Sequence, residues 1–144
     1  MEIGGLPLHP LVVHGAVVLV PLSAIGALLV VLWGRARERF GWLAVAFAAA
    51  AAGFAVAARL SGQALADELG AGPLVATHRM WGELVPYPSV ALALALPAAL
   101  LLRTRSRAGW WTAASLTVLA AAAGLVLVVV TGDSGARAVW GSAT

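Results

Sequence analysis

The fold is decided by residues 11–33, LVVHGAVVLVPLSAIGALLVVLW, in which one histidine is the only ionisable side chain. About 20 apolar residues in a helix are enough to cross the hydrocarbon core of a bilayer, because each residue adds about 1.5 Å. Three further apolar runs of similar length follow, at residues 41–60, 84–102 and 109–131. The sequence therefore predicts four transmembrane helices.

Composition supports a membrane protein. Of 144 residues, 62% are hydrophobic and 10% are charged, with a mean hydropathy of +0.96. Soluble domains usually carry about 25% charged residues, so soluble and disordered classes are excluded. The length predicts one domain over residues 1–144, an all-α four-helix bundle with up-down-up-down topology. With no cysteine, the chain cannot form disulfides or attach a c-type haem covalently.

The arginines predict the orientation in the membrane. Two short connections, residues 34–40 and 103–108, carry three arginines each, and the remaining three are Arg59, Arg79 and Arg137. Short loops rich in arginine stay in the cytoplasm. We therefore expect a multi-pass protein of the bacterial cytoplasmic (inner) membrane with both termini outside. The lipid bilayer is its expected surrounding, and the loop placement of the arginines argues against nucleic acid.

A weak internal repeat suggests two related helical hairpins. Residues 35–42 and 103–110 share the pattern RxRxRxGW, offset by 68 positions. The helix after each loop has an alanine run and then a small polar pair, Ser61-Gly62 or Thr131-Gly132. Two copies of one hairpin would give this pattern, and so would independent selection for topology. We expect the alanine-rich second and fourth helices to be the closely packed partners.

All three histidines fall on the predicted outer side. We expect His9 just before a helix that opens at Pro10, with His14 about one turn inside it. Pro73 likewise opens a helix, with His78 just over one turn along. The first and third helices of such a bundle are diagonal, so His14 and His78 would face each other across it. Such a pair could hold a haem, or a metal ion if the helices tilt closer.

Two connecting segments complete the expected outer side. Residues 63–69 predict a short interfacial helix after the second span. Gly132 and Gly135 leave the backbone free to turn, which would bring Asp133 over the bundle.

Three hypotheses remain open at this point. In the first, haem b is bound for membrane electron transfer, with His14 and His78 as axial ligands, Arg59 or Arg79 on the propionates, and His9 as a spare or supporting group. In the second, zinc or copper is bound by residues drawn from His9, His14, His78, Asp133 and Glu83. In the third, the chain is a non-catalytic accessory subunit. An electron carrier or accessory role is favoured over a stand-alone enzyme.

Three motifs carry a resemblance to a known family. Residues 5–14, GLPLHPLVVH, residues 78–83, HRMWGE, and residues 132–141, GDSGARAVWG, resemble a bacterial membrane family catalogued as domain of unknown function 2231. The resemblance implies four transmembrane helices. It also implies membrane electron transfer, because some relatives resemble small b-type haem proteins and some similar domains are joined to Rieske domains.

By motif, the resemblance carries over His9, His14 and His78 as candidate ligands. The chain departs from the family pattern at Asp133, where some relatives have histidine, so a second haem is not expected. A redox protein or a quinone would be the electron partner, and a homo-oligomer would also fit.

Overall fold

The computed structural model of the chain describes residues 2–3, 6–69 and 73–140. A short antiparallel pair, β1 (Glu2–Ile3) and β2 (Leu6–Pro7), precedes the helices. The helices are α1 (Leu8–Leu32), α2 (Gly34–Leu69), α3 (Pro73–Gly82), α4 (Pro86–Leu102) and α5 (Arg107–Trp140).

Four helical segments within this described part are long and apolar enough to cross a membrane. They are His9–Leu32, Gly34–Asp67, Val75–Leu102 and Arg107–Arg137. Large apolar side chains such as Leu32, Leu94 and Val129 point away from the bundle and are 76%, 68% and 69% exposed, respectively. A surface of this kind is stable in lipid and not in water. The all-α membrane bundle predicted from the sequence is confirmed.

The helices pack in chain order. Contact is most extensive between α1 and α2 and between α4 and α5, while α1 also lies beside α5 and α2 beside α4. Consequently α1 and α4 form one diagonal and α2 and α5 the other, as an up-down-up-down bundle requires. The expected close packing of the second and fourth spans was wrong. Their small residues face hairpin neighbours instead, as when Gly26 of α1 approaches Ala44 of α2.

The core of the bundle is built from small side chains. Ala27, Ala48 and Ala121 are fully buried, and Leu96 is the largest side chain that is also fully buried. Small residues let membrane helices approach closely enough for dispersion forces to hold them together.

Two connections define one end of the bundle, which we call the Arg end (residues 33–37 and 103–110). Trp33 alone separates α1 from α2. Arg37 stabilises this turn, because its guanidinium donates hydrogen bonds to the carbonyl oxygens of Val30 and Val31 at the end of α1. At the other connection, the Ser106 hydroxyl accepts a hydrogen bond from the Gly109 amide at 3.0 Å and so caps α5.

The opposite end carries His9 and His78 and is called the His end. Two helix boundaries at this end differ from the prediction, the end of α2 and the start of α1. The segment 63–69 is helical, but it continues α2 without a break. The pair Ser61-Gly62 lies within this helix, and the Ser61 hydroxyl donates a hydrogen bond to the carbonyl of Ala58 at 3.1 Å. His9 lies inside α1, because that helix begins at Leu8. Pro10 is tolerated there since a first-turn amide needs no helical partner.

The end of α5 also corrects a prediction. Gly132 and Gly135 do not turn the chain, and α5 continues to Trp140. Asp133 therefore stays on the helix surface, where its carboxylate pairs with Arg137 one turn later at 2.9 Å. A single glycine costs a helix about 1 kcal/mol, which is too little to end a helix that is packed along its length.

A helix opening at Pro73 is confirmed as α3. If this helix continued, the Gly82 carbonyl would need a hydrogen bond from the amide of Pro86, and proline has no amide proton. The helix therefore ends at Gly82. Residues 83–85 form a tight turn in which the Val85 amide donates to the carbonyl of Gly82 at 3.3 Å. The helix α3 packs mainly on α5 and to a lesser extent on α2.

Candidate functional site

A cavity of about 450 Å³ opens at the His end of the bundle. Its walls come from α1, α2, α3 and α5, together with Glu83 and Val85 of the turn before α4. Most of the lining is aliphatic, and each of these walls also contributes at least one polar side chain. The apolar part is formed by Val13, Ala16, Val17, Ala55, Ala58, Leu65, Ala66, Val75, Val85 and Val128.

His9 is one of two imidazoles in this cavity. Its Nδ1 lies 3.0 Å from the Ser61 hydroxyl oxygen of α2. The ring rests against the backbone of Gly62, where an added Cβ would lie 2.9 Å from the His9 Cε1. Glycine at this position therefore makes room for the ring.

His78 is the second imidazole, and its surroundings repeat those of His9. Its Nδ1 lies 3.0 Å from the Thr131 carbonyl oxygen and 3.4 Å from the Ser134 hydroxyl oxygen, both on α5. The ring rests against Gly135, where an added Cβ would lie 3.1 Å from both Cε1 and Nδ1. Each histidine is thus held by a Ser-Gly pair on the long helix of its own hairpin.

The hydrogen bonds assign the same tautomer to both rings. A carbonyl can only accept, so His78 Nδ1 must carry the proton that bonds to Thr131. The Ser61 hydroxyl has one proton, which it donates to the Ala58 carbonyl. Its oxygen therefore accepts the proton of His9 Nδ1. Both Nε2 atoms are left with a lone pair, and among the described residues neither has a hydrogen-bond partner.

This equivalence bears on the internal repeat. The sequence paired Ser61-Gly62 with Thr131-Gly132, but the histidine contacts pair it with Ser134-Gly135. The hydroxyls agree as well, because Ser134 donates to the carbonyl three residues earlier, as Ser61 does. The helix packing shows the same equivalence between the two hairpins. The first helix of one hairpin lies beside the second helix of the other, α1 beside α5 and α4 beside α2. A two-fold axis along the bundle would produce this arrangement.

The polar rim contains an ion-pair network on α3 and α2. The Arg79 Nε donates to the Glu83 carboxylate at 2.9 Å, and its Nη1 lies 3.9 Å from the Asp67 carboxylate. The Gln63 amide nitrogen lies 3.5 Å from the same Glu83 oxygen. Glu83 and Arg79 therefore largely neutralise each other.

Arg59 lines the cavity from α2, but its partner is uncharged. Its Nη1 donates to the Tyr87 hydroxyl oxygen at 3.1 Å, and its guanidinium carbon lies 5.5 Å from the centre of the Tyr87 ring.

Thr131 of α5 also lines the cavity. Its Oγ1 is buried and has no hydrogen-bond partner in the described part of the chain.

Two of the predicted site residues lie away from the cavity. His14 is exposed on α1, and its Nδ1 donates to the Pro10 carbonyl one turn earlier at 2.6 Å. Asp133 is exposed and paired with Arg137. The structure therefore brings together His9, His78, Arg59, Arg79 and Glu83. The imidazole that shares the cavity with His78 is His9, whereas the sequence favoured His14.

No group of three or more histidine, cysteine, aspartate or glutamate side chains is placed to hold a metal ion within residues 2–3, 6–69 and 73–140. The donor set suggested for zinc or copper is dispersed in this part of the chain, because His14 and Asp133 face outward.

Sequence reasoning missed the residues that support the two imidazoles. A signal was present, since the dipeptide Ser-Gly occurs at residues 61–62 and 134–135, near the end of the long helix in each hairpin. Sequence reasoning also did not single out Tyr87. Its contact with Arg59, 28 residues away, depends on tertiary packing.

Residues 5–144 match a family described as "Predicted membrane protein (DUF2231)". The chain belongs to this family. The match spans all four membrane helices and both histidines of the cavity, and it confirms the resemblance carried by the sequence motifs. No curated protein and no solved structure matches the chain.

Proposed function

We propose that this membrane protein binds b-type haem in the cavity of the His end, where His9 and His78 would hold the iron, and that it takes part in membrane electron transfer. The observation that carries the proposal is the shared tautomer. Two imidazoles line one cavity, and each presents an Nε2 lone pair while its Nδ1 proton is bound to the protein.

This hydrogen-bond pattern is typical of metal-ligating histidines. A histidine ligand usually donates its other ring proton to a carbonyl or another acceptor, which fixes the ring and raises its basicity. His78 has such a partner in the Thr131 carbonyl, and His9 has one in Ser61. Imidazole is a common axial ligand of haem iron.

The remaining lining also suits haem. Aliphatic walls fit the macrocycle, and a cavity of about 450 Å³ falls within the roughly 300–1,000 Å³ of small-molecule sites. Arginine at the rim fits the propionates. When bound, haem would supply one-electron redox chemistry. The chain itself would supply two ligands, their orientation and an apolar environment.

Orientation follows from the arginines of the Arg end. Short loops rich in arginine remain in the cytoplasm of bacteria, so we infer that the Arg end is cytoplasmic and the His end faces outward. The haem would then exchange electrons near the outer surface, with a redox protein or a quinone as partner.

The first test is a reduced-minus-oxidised absorption spectrum and a metal analysis of the protein purified in mild detergent from haem-supplied cells. We expect a b-type spectrum and near-stoichiometric iron. His9→Ala and His78→Ala should lose the haem, whereas His14→Ala, the matched control outside the cavity, should retain it.

Three results would contradict the proposal. Stoichiometric zinc or copper in colourless protein would favour a metal site. Protein that contains neither haem nor metal would favour an accessory subunit. Loss of haem in His14→Ala alone would show that the ligand pair has been assigned wrongly.

A further inference from the structure

The two arginines at the cavity differ in what already binds them. Arg79 has a close bond to Glu83 at 2.9 Å and the Asp67 carboxylate at 3.9 Å. Its charge is thus balanced by the protein. An additional acidic group beside Arg79 would have to compete with Glu83, which also points into the cavity rim.

In the described part of the chain, Arg59 has no ion-pair partner in contact with it, and Glu83 interacts with it only at longer range. Within the described residues, no carboxylate lies within 4.0 Å of its guanidinium, and its one hydrogen-bond acceptor is the neutral Tyr87 hydroxyl. A guanidinium has five N–H donors, so most of them are left for another acceptor. The arginine is partly buried at the edge of an apolar cavity, and its hydrogen bond to Tyr87 is exposed.

Tyr87 adds a second donor beside Arg59. Its side chain is 60% exposed and lies outside the cavity lining, so it acts at the cavity through its contact with Arg59. Its hydroxyl oxygen accepts the bond from Arg59, so its own O–H proton remains available. The ring also lies beneath the guanidinium, which limits the directions in which Arg59 can point. Together the two side chains form a site for a carboxylate or phosphate oxygen.

We propose that Arg59, supported by Tyr87, binds an acidic group of the molecule held in the cavity, and that Arg79 does not. The proposal rests on the proposed function in one respect, since both concern the same cavity. It defines the ligand as an amphiphile with an apolar body and an acidic edge. That edge lies towards α2 and α4, and the apolar body lies among Val13, Val17 and Val128.

The test compares haemin with its dimethyl ester, which has the same macrocycle and no free acid. Apo-protein in a non-ionic detergent is titrated with each, and the Soret band is followed. One charge-assisted hydrogen-bond pair is worth about 1.5–3 kcal/mol, so the wild type should prefer the free acid by about 10- to 100-fold. Arg59→Gln should abolish the preference. The matched control is the double variant Arg79→Gln, Glu83→Gln, which removes the ion pair without leaving an unpaired carboxylate at the rim, and it should retain the preference. Circular dichroism and gel filtration establish that both variants are folded.

A second probe separates this proposal from haem binding itself. Parinaric acid and its methyl ester fluoresce in apolar sites and need no imidazole ligand. If haemin fails to bind but the acid is preferred over the ester in an Arg59-dependent manner, the haem proposal fails and this one stands. Equal binding of acid and ester by the wild type, with both probes, would overturn it. So would a preference that depends on Arg79 and not on Arg59.

Lipid phosphate is the other source of an acidic group near Arg59. The titrations are therefore repeated in nanodiscs of phosphatidylcholine and of phosphatidylglycerol. We expect the acid preference to persist in both. If it disappears in phosphatidylglycerol and that lipid is retained less well by Arg59→Gln, the arginine binds a headgroup and the proposal is wrong.

Discussion

Replacing Gly62 by alanine tests how closely the fold controls His9. The new Cβ would lie 2.9 Å from His9 Cε1, whereas carbon atoms prefer about 3.5–4.0 Å. The ring must therefore move by roughly 0.6 Å or more. A shift of that size away from Ser61 would lengthen the 3.0 Å distance between His9 Nδ1 and the Ser61 hydroxyl oxygen beyond the limit of a useful hydrogen bond.

The expected effect on stability is small and the effect on ligand binding is large. Alanine is favoured over glycine in a helix by about 1 kcal/mol, which offsets an overpacking cost of about 1–3 kcal/mol. The free energy of unfolding should therefore change by less than about 2 kcal/mol. Haem affinity should fall about 10- to 100-fold, as it does when the support of a metal-ligating histidine is disturbed.

The control is Gly53→Ala on α2, because nothing lies within 4 Å of a Cβ at that position and the residue does not line the cavity. This variant should be as stable as the wild type or slightly more stable, with unchanged haem affinity. Unfolding is followed by circular dichroism in detergent, and haem affinity by Soret titration. Equal haem affinity in Gly62→Ala and Gly53→Ala would refute the reasoning.

Other substitutions test the hydrogen bonds of the site and of the fold. Ser61→Ala and Ser134→Ala should each weaken haem binding in a Soret titration, by up to about tenfold. Ser61→Ala should have the greater effect, because His78 keeps a carbonyl acceptor. Ser23→Ala, whose buried hydroxyl bonds within α1, should leave affinity unchanged. Arg37→Gln should lower the free energy of unfolding by about 1–3 kcal/mol, because it removes hydrogen bonds to the last carbonyls of α1. The exposed Arg105→Gln at the same end should change it little, and equal destabilisation by both would count against a specific role for Arg37.

The membrane bundle could be predicted from the sequence because hydrocarbon imposes a strong constraint. Four apolar runs of about 20 residues in so short a chain leave few other folds. The diagonal placement of α1 and α4 also followed from short connections. Helix ends were harder to predict. Glycine is typical of turns, but Gly62, Gly132 and Gly135 lie within helices that are stabilised by packing.

The candidate site was predicted in composition and not in detail. His9, His78, Arg59 and Arg79 were all identified as site candidates, and all four line one cavity. The choice between His9 and His14 depended on where α1 begins and which way it is rotated. Both depend on packing against α2, for which a single sequence carries no direct signal. The pairing of Arg79 with Glu83 is local, four residues apart, whereas the Arg59–Tyr87 contact is not.

The most direct test of the proposed haem site is the spin state of the oxidised protein, measured by electron paramagnetic resonance on the wild type and three histidine variants. Two axial imidazoles give low-spin ferric haem, and loss of one gives a high-spin signal or empty protein. We predict a low-spin signal for the wild type and for His14→Ala. His9→Ala and His78→Ala should each lose it. A low-spin signal that survives in His9→Ala and disappears in His14→Ala would contradict the account.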